Sequence, residues 1–170
     1  MKWRIEATAA VLAGVIALGC EQPPPSAPTL TGPLFAAATT TDITATASLT
    51  ITDLGRNWIS DGIIHFRDQV QEGTVSGGIS GTVRVVGRSD VTIPPATGTG
   101  TASGKVTITR TSGGTWEGSF EGRFDGGLFS GKLVAQGTGA LAGQILRGSV
   151  TQTLPNRDYA LTATILNPGG

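Results

Sequence analysis

The residues able to do chemistry are few, and their types narrow what that chemistry can be. His65 is the single histidine and Cys20 the single cysteine of 170 residues. A Cys/His zinc site cannot be assembled from them, so no metal and no cofactor is expected. His65 alternates with Ile64 and Phe66 and falls in phase with Arg67 and Gln69. On a strand that parity predicts a solvent-facing imidazole. Glu117 and Glu121 are two carboxylates on one strand, a spacing that acid/base chemistry can use. They alternate with Ser119 and Arg123, which reads as a wet surface. Serines are plentiful, but no Gly-x-Ser-x-Gly elbow stands between a strand and a helix. Gly137-Thr138-Gly139-Ala140-Leu141-Ala142-Gly143 has dinucleotide-type glycines with one residue too many. No helix follows it to hold a phosphate, so a loop is expected. The sequence carries no catalytic signature.

What remains is aromatic. From Trp116 the chain alternates Trp116, Gly118, Phe120, Gly122, Phe124 against Glu117, Ser119, Glu121, Arg123, Asp125. A strand separates these into one apolar and one wet face, whereas a helix would mix them. Large rings spaced by glycines suit the inside of a tightly curved sheet. Trp116, Phe120, Phe124 and Phe129 read first as core packing, and the glycines between them also make these four the candidate lining of an apolar binding cavity.

The elements that hold this face are strands. The chain has 26 glycines, abundant Thr and Ser, and only 14% charged residues. Ile43 to Thr52, Trp58 to Glu72, Gly73 to Val86, Thr99 to Arg110, Thr115 to Phe124, Leu128 to Gly137, Gln144 to Thr153 and Tyr159 to Leu166 read as eight strands. Short connections demand antiparallel neighbours. The expected fold is all-β, an eight-stranded antiparallel up-and-down barrel, with a two-sheet sandwich as the alternative. A membrane-spanning barrel is not expected, because one face of nearly every strand is polar. Net charge is zero and no Lys/Arg run occurs, so the footprint of a nucleic-acid binder is missing.

The first residues read as a targeting segment. Lys2 and Arg4 precede an apolar run from Ala7 to Leu18. That run is short of the ~20 residues a spanning helix needs. Ala17-Leu18-Gly19-Cys20 resembles a bacterial lipobox, with Ala17 and Leu18 in the reverse of the usual order. The resemblance implies cleavage before Cys20 and a lipid on it. Residues 1–19 are then a lipoprotein-type signal peptide. Residues 20–40, with Pro23-Pro24-Pro25, form an extended tether. Residues 41–170 form the barrel domain, anchored at a membrane of the bacterial cell envelope.

A second resemblance covers about residues 62–153. Gly114-Thr115-Trp116-Glu117-Gly118, Gly131, the run Gly137 to Gly143, and Gly148 carry it, with Ile64-His65-Phe66-Arg67-Asp68 and Gly73-Thr74-Val75-Ser76-Gly77. These look like small bacterial exported proteins of the allene-oxide-cyclase-like barrel group. The resemblance implies an eight-stranded antiparallel barrel. Plant cyclases of that fold use an apolar pocket with a Glu and a Cys. No Cys follows Cys20 here, which counts against cyclase activity. Three readings stay open: a barrel binding a small apolar ligand or an envelope partner, an isomerase or cyclase working in the lumen, and a filled structural barrel. The non-enzymatic readings are preferred.

Overall fold

The computed structural model describes residues 37–153 and 157–168. The expectations for residues 1–36, Cys20 among them, lie outside these residues. Nine strands follow one another: β1 (Thr39–Asp53), β2 (Arg56–Ser60), β3 (Ile63–Gly77), β4 (Gly81–Thr92), β5 (Gly100–Arg110), β6 (Thr115–Asp125), β7 (Leu128–Thr138), β8 (Ile145–Thr153) and β9 (Asp158–Asn167). Each pairs antiparallel with its neighbours, from β3 through to β9. β1 closes the ring. Its first ten residues pair with β9, and from Ala45 onward it pairs with β3. The result is a closed eight-stranded antiparallel barrel with β2 as an extra strand. Closure rules out the sandwich.

β2 is where the expectation departs from the fold. Trp58 to Glu72 is not one strand. Asp61 (φ 52°) and Gly62 (φ 74°) both adopt left-handed backbone and turn β2 into β3. Asp-Gly is a favoured pair for such a two-residue hairpin. β3 then runs on to Gly77, where a break after Glu72 was expected. β2 continues the line of β1 along β3, and its five residues pair on one side only.

A second departure sits in β3. Phe66 faces Ser89, but Gln69 faces Gly87, so β3 carries one extra residue. Asp68 takes it up with a left-handed backbone (φ 60°). Such a bulge reverses the inside-outside parity on either side of it. Gln69 and Gln71 therefore point into the barrel, where Gln69 was expected to be wet, and Val70 points out. Ile64 and Phe66 still share the inner face.

The core fills one end of the barrel. Trp116, Ile79 and Leu146 are its most enclosed side chains. Leu141 is brought over them by a single 3₁₀ turn at Gly139–Leu141, so the glycine-rich run is a plug-bearing loop. The β3–β4, β5–β6 and β7–β8 connections lie at this end. The outer face carries exposed Glu117, Glu121, Arg123 and Lys132. A lipid-facing band would need to be apolar there.

Inside the wall, rings replace side chains that glycine lacks. A Cβ on Gly122 would stand 2.6 Å from Cζ of Phe129, and one on Gly104 would stand 2.8 Å from Cε1 of Phe120. Real Cβ atoms do not approach so closely. The Gly122 Cβ would also meet the Gly131 backbone at 2.6 Å, so the wall itself would have to yield. Gly122→Ala is expected to destabilise the barrel by about 1–3 kcal/mol. Urea denaturation measures this, and an unchanged midpoint would show that the ring is not held against the wall.

Candidate functional site

Away from the plug the barrel interior holds a cavity. A cavity of about 130 Å³ lies between Ala47, Leu49, Val85, Val106, Phe120 and Phe129, with Phe124 also at its wall. Phe129 joins the other two rings edge to face. Its centroid lies 5.9 Å from Phe120 at 82° and 5.6 Å from Phe124 at 62°. Such offset geometry favours the aromatic quadrupoles and fixes the rings together. Trp116 was grouped with these rings, but it does not line the cavity. It is fully enclosed at the plugged end, one layer below.

The lining is apolar apart from a few groups. Gln69, Gln71, Arg88, Ser89 and Tyr159 reach it. Gln71 donates from Nε2 to Gln69 Oε1 at 3.0 Å, which leaves the Gln69 amide with its own N–H donors. The glutamines were hidden from sequence reasoning by the bulge at Asp68. The residue type of Asp68, which tolerates a left-handed backbone, was the only signal in the sequence, and it is a weak one.

Burial pushes the Tyr159 phenol above its ordinary range, with Arg157 opposing the shift. The neutral phenol is the form the apolar lining accepts.

On the outer face His65 sits where parity placed it, but it is not free in solvent. Its Nδ1 lies 2.6 Å from Asp90 Oδ1, and its Nε2 lies 3.1 Å from Ser60 Oγ. Trp58 stacks on the ring at 4.9 Å and 18°. Arg67 spans Trp58 at 5.2 Å and donates to Asp90 Oδ1 at 2.7 Å. Arg67 chiefly, then the His65 hydrogen bond, hold the Asp90 carboxyl below the usual carboxylate range, while partial burial opposes them. Three strands supply these groups: β2 gives Trp58 and Ser60, β3 gives His65 and Arg67, β4 gives Asp90. Register alone brings them together, since Trp58 faces His65 and His65 faces Asp90. A missed hairpin at Asp61–Gly62 hid Ser60 and Trp58 from the sequence reading. Glu117 and Glu121 stay exposed on the outer face.

No protein-family model matches this chain, and no curated protein sequence matches it.

Tyr159 is the only tyrosine in the chain, so its phenolate absorbance reports the cavity directly. Its titration midpoint in the folded protein is expected above the ordinary value of about 10. An unfolded chain ionises there first, so the stability tied to this group is complete below about pH 10 and is lost as pH rises. A midpoint at or below the ordinary value would show a wet cavity.

Proposed function

We propose that this protein is an exported, lipid-anchored barrel of the allene-oxide-cyclase-like kind that binds a small, mostly apolar ligand. The hollow in the barrel supports this most. Its room of about 130 Å³ is close to that of engineered cavities of ~150 Å³ that stay dry and take up benzene. That size suits a single ring or a short branched chain, and it is too small for a fatty acyl tail. The Phe120, Phe124 and Phe129 edges offer apolar contact. Gln69 and Tyr159 offer a donor to one ligand oxygen, so a hydroxyl or carbonyl on the ligand fits the polar side of the lining.

Two experiments test the reading. Calorimetric titration with benzyl alcohol and with toluene is expected to show saturable binding of both. Val106→Phe, which fills the hollow, is expected to abolish it with the far-ultraviolet circular dichroism unchanged. Gln69→Leu is expected to weaken benzyl alcohol by about tenfold and leave toluene unaffected, the hydrogen bond being worth about 1 kcal/mol or more. Binding that survives Val106→Phe would place the ligand elsewhere.

The anchor rests on Gly19-Cys20 behind the apolar run. In a bacterial host the full-length chain is expected in the membrane fraction, labelled by radioactive palmitate. Cys20→Ser is expected to lose the label. An unlabelled wild-type chain would refute the anchor.

A further inference from the structure

The outer-face cluster stands apart from the lumen. We propose that Ser60, His65 and Asp90 form a nucleophilic site that hydrolyses small carboxylic esters. The three side chains make one chain of hydrogen bonds, 3.1 Å from Ser60 Oγ to His65 Nε2 and 2.6 Å from His65 Nδ1 to Asp90 Oδ1. These are the same nitrogens, in the same roles, as in serine hydrolases, a constellation recognised by geometry and not by order in the chain. Asp90 accepts from Nδ1–H, which fixes the tautomer and leaves Nε2 to accept from the serine hydroxyl. Arg67 keeps Asp90 in its anionic form, and Trp58 fixes the plane of the imidazole.

The surroundings fit an acyl transfer. Ser60 ends β2 and is exposed, so an ester reaches it without a channel. His65 is more sheltered, its side chain 17% exposed. The next two residues, Asp61 and Gly62, hold left-handed backbone, and their N–H groups bond to no backbone carbonyl among the described residues. The N–H after a nucleophile is a common donor to the developing oxyanion. The exposed Ile59 and Ile93 beside this turn favour a small apolar acyl or alcohol group.

The step balances without a cofactor. Ser60 Oγ bonds to the ester carbonyl carbon as its proton passes to His65 Nε2. The ester C–O bond breaks, and the leaving alcohol takes that proton. Water then adds to the acyl carbon, gives a proton to His65, and the carboxylic acid leaves as Ser60 recovers its hydrogen.

The test uses the full-length protein with p-nitrophenyl acetate and a fluorophosphonate probe. Turnover is expected, with one phosphonate on Ser60 by peptide mapping and turnover blocked in the labelled protein. Ser60→Ala is expected to lose the label and at least ~100-fold of the rate, and Asp90→Asn to lower the rate by a similar factor while the serine stays in place. A lone imidazole can itself attack an activated ester. A Ser60→Ala protein that keeps its rate, with acetyl found on His65, would overturn the proposal. So would a folded wild-type protein that takes no phosphonate at Ser60. Ser60 is exposed and Asp90 half-buried, and thermal unfolding of each variant shows whether the barrel is intact.

Discussion

Phenylalanine rings packed against glycine backbone are the contact on which this barrel depends. A sheet closing on eight strands must curve sharply, and its interior is just wide enough for side chains to fill or for one small ligand. Gly104 and Gly122 remove their side chains where the wall bends, and the rings of Phe120 and Phe129 cover the bared backbone. The ring then serves as the missing side chain of the neighbouring strand, a device that also protects glycines in designed sheets. Phe120 and Phe129 also line the cavity, so the same rings cover the bared wall and bound the lumen. Trp116 shows the contrast: at the other end Leu141, Ile79 and Leu146 pack around it and no hollow forms.

The two faces of the wall have separate consequences. Inside, apolar lining surrounds a small polar group set, and the bulge at Asp68 is what turns the two glutamines inward. Outside, the unbulged part of β3 keeps His65 opposite Asp90 and Trp58. One extra residue in one strand therefore gives the lumen its hydrogen-bond donors without disturbing the outer cluster. Arg56 donates to the Asp68 carboxylate at 3.0 Å, tying β2 to the bulge itself. Both groups are exposed, so this contact locates the strand more than it stabilises it.

Alternation along Thr115–Asp125 was enough to place Trp116, Phe120 and Phe124 on the inner face, because nothing interrupts the period-two pattern there. The barrel followed from the number of strands and the shortness of their connections. β3 was legible only in part. Period-two reasoning assumes an unbroken ladder, and the left-handed residue at Asp68 breaks it without any glycine to announce the change. The Asp61–Gly62 hairpin was announced by its dipeptide but lay inside the stretch Trp58 to Glu72 that read as one strand. The outer cluster joins residues 60, 65 and 90, and only register brings them within hydrogen-bond distance. No spacing along the chain encodes that meeting.

The account stands on the barrel holding a dry cavity away from the plug. Diffraction from crystals of the protein pressurised with xenon tests it most directly, because xenon enters apolar cavities of this size and avoids wet ones. The account predicts a xenon atom inside the barrel in contact with Phe120, Phe129 and Val106. Xenon at surface sites alone, with side chains or ordered water filling the lumen, would contradict it.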